Sequence, residues 1–189
     1  MFGVLNVPNT LTLLRLVAIP VFLILLTDFR YREALGVFVA AGVTDALDGA
    51  IARLTHTKTT LGAYLDPAAD KLLLMSAFVA LAFLQEVPRW LTVIVLSRDI
   101  MLVVGYFLLF TMTHHAMEVR PSVAGKLSTF LQLSAVTVVL VSLVYPDAVP
   151  PMAETTLFLV TGLVTAVAGL QYMGRGLLWL QRESGTPAG

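Results

Sequence analysis

The chain has no cysteine, which excludes disulfides, thiolate nucleophiles and sulfur-ligated zinc and leaves the redox compartment open. Charge is also scarce. Of 189 residues, 12 are Lys or Arg and 12 are Asp or Glu, so the formal net charge is zero. Without a basic excess there is no electrostatic footprint for nucleic acid, and no such partner is expected. The sequence shows no internal repeat, low-complexity tract or linker. Apolar residues dominate instead, at 58% of the chain, a fraction that belongs to membrane proteins rather than soluble domains.

Crossing a hydrocarbon layer about 30 Å thick takes roughly 20 helical residues. Six stretches of that order are present, at 10–27, 34–54, 61–84, 89–112, 123–145 and 153–180, and polar or helix-breaking residues fill the connections. The expectation is an all-α integral membrane protein, a single domain over 1–189 with six transmembrane helices in one bundle. The first apolar run is preceded by Asn9 and Thr10 rather than a cationic region and lacks a small-residue cleavage signal, so it reads as a retained helix. Met1 to Pro8 reads as a short interfacial segment. Basic residues near helix ends set orientation. With the N-terminus inside, the inner face carries Arg53, Lys58, Arg120, Lys126, Arg175 and Arg182, and the outer face Arg30, Arg32 and Arg89. The expected topology is N-in and C-in.

Intramembrane acids are costly unless paired, hydrated or metal-bound, and here they are concentrated. Asp45, Asp48, Gly49 and Ala52 recur at helical spacing in the second segment, and Gly62, Asp66 and Asp70 do so in the third. Two helices joined by a short loop can bring these stripes face to face. Four carboxylates in a low-dielectric site would repel one another, and divalent cations relieve that repulsion. An all-oxygen donor set without Cys or His suits Mg²⁺ or Mn²⁺, and facing helices can hold two ions, an arrangement that neutralises a diphosphate and stabilises attack at phosphorus. The bland reading is that the aspartates are helix caps or paired charges, and Asp66 before Pro67 fits a turn. A further class of protein, a small cation transporter, also lines its path with acids, although the repeats and broken helices common in transporters are absent from this sequence.

The string Asp45-Ala-Leu-Asp48-Gly49-Ala-Ile-Ala52-Arg53, followed by Gly62, Asp66 and Asp70, resembles the signature of the CDP-alcohol phosphatidyltransferases. Pro8 to Thr12, Arg15 and the six-helix plan extend the resemblance over nearly the whole chain. It implies that an acceptor hydroxyl attacks the β-phosphorus of CDP-diacylglycerol and releases CMP. Carried over, Asp45, Asp48 and Asp66 are metal ligands, and Asp70 is both a ligand and the catalytic base. Arg53 would contact the diphosphate, Gly49, Ala52 and Gly62 would shape the nucleotide pocket, and Asn9 and Thr12 would border it. The resemblance also suggests a homodimer. The expected location is a bacterial inner membrane, with the active site at the cytoplasmic side.

Acceptor choice lies outside the signature. Arg98 and Lys126 are candidate acceptor-binding residues, since either can meet an acceptor phosphate. Arg98 can equally form an internal ion pair, and Lys71 can simply snorkel. The run from Ser97 to Val103, with Arg120-Pro121-Ser122, Gly125 to Thr129 and Gln132, resembles two branches of the family. One uses glycerol 3-phosphate to make phosphatidylglycerol phosphate, and the other uses phosphatidylglycerol to make cardiolipin. The first branch typically has Arg-Glu and a further arginine about two turns on, where this chain has Arg98-Asp99 and then Val104 to Leu109 without charge. A lost cation and an apolar wall favour a lipid acceptor, so phosphatidylglycerol is preferred. His114 and His115 read as a solvated pair, and Trp90, Trp179 and Tyr172 as interfacial anchors.

Overall fold

A computed structural model of the chain describes residues 7–55, 60–113 and 122–184, with side chains at 14–44, 71–105, 111, 122–176, 178 and 181. The described residues form helices and no strand: α1 (Val7–Thr27), α2 (Tyr31–Thr55), α3 (Thr60–Phe83), α4 (Arg89–Thr113), α5 (Val123–Val144) and α6 (Pro151–Ser184). All six expected segments fall on helices, and the observed class is all-α. Among the described residues, Val123–Val144 and Pro151–Gly176 are long and apolar enough to cross a membrane, while Leu14–Thr27 and Lys71–Phe83 are shorter apolar helices. The 22 residues of α5 reach about 33 Å at 1.5 Å per residue.

Helix starts and stops follow local chemistry. Pro8 sits in the first turn of α1, where its missing N–H costs nothing. Of the interfacial segment expected at Met1 to Pro8, Val7 and Pro8 belong to α1, and Met1 to Asn6 lie outside the described residues. α3 runs unbroken across Asp66 and Pro67, so this pair is inside a helix and not at a turn.

α1 and α3 each end in a Schellman motif. Arg30 N–H donates to Leu25 C=O (2.8 Å) and Phe29 N–H to Leu26 C=O (3.2 Å); Glu86 N–H donates to Leu81 C=O (2.9 Å) and Gln85 N–H to Ala82 C=O (3.2 Å). The residue that reverses the chain in each is left-handed and is not glycine: Phe29 has φ 60° and Gln85 φ 65°.

The helices form two compact units. One contains α1, α2 and α3 together with Val136–Glu154. In it α1 packs on both α2 and α3. Phe22 and Leu26, one turn apart on α1, are wholly buried, as are Ala34 on α2 and Ala77, Phe78 and Leu81 on α3. The Phe22 and Phe38 rings meet at 5.6 Å, tilted by 41°, within the range for favourable aromatic pairs. Alanines 34, 41 and 77 on the buried faces allow close backbone approach. Arg15 is also buried here, two turns before Phe22 on the same face of α1.

The other unit contains Pro88–Ala135, hence α4 and the first half of α5, together with α6 from Thr155 onward. Its pattern is inverted relative to a soluble core. Arg98, Asp99, Ser128, Gln132, Thr161 and Thr165 are buried, while Phe130, Leu163 and Leu170 are 65%, 68% and 64% exposed. Gln132 Nε2 donates to Ser128 Oγ (3.1 Å) and to Thr165 Oγ1 (3.2 Å), and the two hydroxyls lie 3.1 Å apart. A satisfied polar network joins α5 to α6 while large apolar side chains point outward, which suits lipid as the surrounding solvent. The chain is a membrane protein.

Candidate active site

Asp45, Asp48, Gly49, Ala52 and Arg53 lie on α2, Gly62, Asp66 and Asp70 on α3, and Asn9 and Thr12 on α1. Their side chains lie outside the described ones, so the structure establishes their helical register and the packing of α1 on the two helices that carry the acids. His114 and His115 lie outside the described residues as well. Among the described residues, no group of three or more His, Asp or Glu converges, so the metal reading rests on the four aspartates and their hard, all-oxygen donor chemistry.

The acceptor candidates are described in full. Arg98 and Asp99 on α4 are 6% and 5% exposed, and Arg98 Nη1 lies 2.6 Å from Asp99 Oδ1. Adjacent residues on a helix do not face each other, but the long arginine stem folds back far enough to reach. The internal ion pair therefore forms. Arg98 Nε is buried without a hydrogen-bond partner among the described residues. Lys126 on α5 is exposed, and its backbone N–H donates to Ser122 C=O (3.1 Å).

Three features near Arg98 emerge from the packing of α4, α5 and α6. Ser122 is the N-cap of α5, its Oγ accepting from Gly125 N–H at 3.0 Å; a serine directly before an apolar run is the signal that would have found it. Tyr172 on α6, expected as an interfacial anchor, has its ring 5.8 Å from Arg98 Cζ, within cation–π range. A Cβ built on Gly125 would lie 3.1 Å from Tyr172 Oη, 3.2 Å from Ser122 Oγ and 3.3 Å from Arg98 Nη2. Polar groups from α4, α5 and α6 thus crowd around a position that only glycine fits without displacing them.

Trp90, the other expected anchor among the described side chains, is partly exposed, but its ring edge lies against Gly162 on α6. In the first unit, Ser142 Oγ donates to Glu154 Oε1 at 3.2 Å. Burial first, and the Glu154 charge second, hold the Glu86 carboxyl above its ordinary range.

Known proteins agree with the signature. A family model described as CDP-alcohol phosphatidyltransferase matches residues 5–170, a span that includes all four aspartates. A Mycobacterium tuberculosis protein named probable phosphatidylglycerophosphate synthase is 35% identical over 178 residues, covering 91% of this chain and 82% of its own. The Bacillus subtilis CDP-diacylglycerol–glycerol-3-phosphate 3-phosphatidyltransferase is 32% identical over 186 residues, covering 90% and 94%. The cardiolipin synthase (CMP-forming) of Rattus norvegicus is 31% identical over 186 residues, covering 90% of this chain and 61% of its own. These relatives are enzymes, and the cation-transporter reading of the acids gives way. The chain belongs to the CDP-alcohol phosphatidyltransferases, and it is a transferase of phospholipid biosynthesis.

Proposed function

We propose that this enzyme transfers the phosphatidyl group of CDP-diacylglycerol to a hydroxyl of phosphatidylglycerol, giving cardiolipin and CMP. The observation that carries the acceptor choice is the buried Arg98–Asp99 pair. A guanidinium already compensated by a carboxylate suits a phosphodiester with one negative charge better than the nearly dianionic phosphate of glycerol 3-phosphate. Beyond it on α4, Ile100, Val103 and Val104 are apolar and exposed, a surface that favours acyl chains over water.

Asp45, Asp48, Asp66 and Asp70 would hold Mg²⁺ or Mn²⁺, two ions in this reading, because carboxylates suit hard divalent cations. When bound, the ions neutralise the diphosphate. As the acceptor oxygen bonds to the β-phosphorus, the bond from that phosphorus to the bridging oxygen breaks and CMP carries the oxygen away. Asp70 takes the proton of the attacking hydroxyl. Arg53 contacts the diphosphate, while Gly49, Ala52, Gly62, Asn9 and Thr12 border the nucleotide. The same reading has six spans, N-in and C-in, in a bacterial inner membrane with the site at the cytoplasmic side, and a homodimeric assembly.

The names of two relatives favour glycerol 3-phosphate as the acceptor instead: the 35% identical mycobacterial protein is named for phosphatidylglycerophosphate synthesis and the 32% identical Bacillus subtilis protein for transfer to glycerol 3-phosphate. An assay of purified protein with CDP-diacylglycerol and each acceptor in turn separates the two. Cardiolipin from phosphatidylglycerol, with no product from glycerol 3-phosphate, is expected; phosphatidylglycerophosphate alone would replace the first reading with the second.

A further inference from the structure

We infer that Tyr172 is a positioning residue for acceptor recognition, acting through the Arg98 guanidinium. The inference rests on the reading of Arg98 as an acceptor contact. An ion pair to one neighbour on the same helix fixes one edge of the guanidinium and leaves its plane free to turn. The rest of the orientation comes from α5 and α6. The Tyr172 ring lies 5.8 Å from Arg98 Cζ, and a Cβ on Gly169, one turn earlier on α6, would lie 3.5 Å from Arg98 Cγ. α6 therefore holds both the stem and the head of the arginine.

Gly125 completes the arrangement. Its missing side chain leaves room for Arg98 Nη2, Tyr172 Oη and Ser122 Oγ to gather within 3.1–3.3 Å of one point. Ser122 Oγ accepts the Gly125 N–H, so its own proton is turned elsewhere. Arg98 Nε, on the same guanidinium, is buried with its N–H unmatched among the described residues. A buried donor without a partner is costly, and guanidinium and hydroxyl groups gathered around one point are the donors that an anionic oxygen would meet. Tyr172 sets the plane in which those donors point.

The test is a steady-state comparison in mixed micelles, with KM measured separately for CDP-diacylglycerol and for the acceptor turned over, phosphatidylglycerol or glycerol 3-phosphate. Tyr172→Leu removes the ring face and is expected to raise the acceptor KM about fivefold, the size of a partly desolvated cation–π contact, with the KM for CDP-diacylglycerol unchanged. Tyr172→Phe keeps the face and is expected to restore the acceptor KM to within about twofold of the original. Tyr172→Met, longer and more adaptable, carries the same expectation as Leu if the Leu variant does not fold.

Arg98→Lys keeps the charge but loses the planar face. It should raise the acceptor KM by itself and remove any further effect of Tyr172→Leu. An Arg98→Lys variant with an unchanged acceptor KM would overturn the reading of Arg98. A raised acceptor KM in Arg98→Lys but not in Tyr172→Leu, or a Tyr172→Leu variant that raises both KM values together, would overturn the positioning inference alone.

Discussion

Arg98 and Asp99, consecutive on α4, form a buried ion pair with Nη1 2.6 Å from Oδ1. The pair carries a cation into the polar centre of the second unit without leaving a net charge there. Removing one partner of such a pair strands the other, at a cost of about 3–5 kcal/mol. Asp99→Asn should therefore lower stability by about 3 kcal/mol, read as a fall in thermal midpoint in detergent. The double variant Arg98→Met with Asp99→Leu should lose much less stability while losing acceptor turnover. Equal losses from the single and double variants would contradict the compensation argument.

Gly162 leaves room for Trp90. A Cβ there would lie 2.5 Å from Trp90 Cζ3 and 3.1 Å from Cη2, closer than van der Waals contact allows. Gly162→Ala should destabilise by about 1–3 kcal/mol through overpacking. Adding Trp90→Leu should recover most of that loss, because the smaller side chain vacates the contact. A measured coupling near zero between the two substitutions would show that the ring is not the obstacle.

The left-handed residues at the ends of α1 and α3 predict opposite sensitivities. Gln85 is exposed, with φ 65°, so Gln85→Gly should gain about 1 kcal/mol by relieving the Cβ conflict. Phe29 has φ 60° but its ring also meets Tyr31 edge-on at 6.1 Å. Phe29→Gly exchanges that contact for the same relief and should gain less. Thermal melts of the two variants side by side give the comparison, and a larger gain for Phe29→Gly would contradict it.

The helical plan and the placement of the acids on α2 and α3 were legible in the sequence because both are periodic signals. Apolar runs of membrane length mark helices wherever they fold, and the spacing of Asp45, Asp48, Asp66 and Asp70 needs only a helix to be meaningful. The helix ends were less legible, since Phe29 and Gln85 occupy positions that glycine usually announces. The Arg98 contact of Tyr172 was not legible either: its place near the end of an apolar run suggests an interfacial anchor, and only the packing of α6 beside α4 brings its ring to Arg98. The Arg98–Asp99 pair shows the limit of spacing rules for long side chains, because a helix separates adjacent Cβ atoms but not the far end of an arginine.

Glu86 gives a pH dependence with a definite sign. Burial and the Glu154 charge raise its carboxyl above the ordinary 4.5, so the folded state binds its proton more tightly than the unfolded state does. Stability from this group is greatest below 4.5 and falls as pH rises through that value to the raised one. Glu86→Gln should flatten this part of the stability profile and raise the thermal midpoint at neutral pH relative to the parent. An unchanged slope between acid and neutral pH would contradict it.

If the acids of α2 and α3 perform phosphatidyl transfer from CDP-diacylglycerol, the purified protein must release CMP. With CDP-diacylglycerol, phosphatidylglycerol and Mn²⁺ or Mg²⁺, CMP should appear in step with cardiolipin and stop on chelation of the metal. Asp70→Asn should lower the rate by at least about a hundredfold, as expected for loss of a general base, while CDP-diacylglycerol still binds. CMP release that survives both chelation and Asp70→Asn would rule out metal-dependent transfer by these acids.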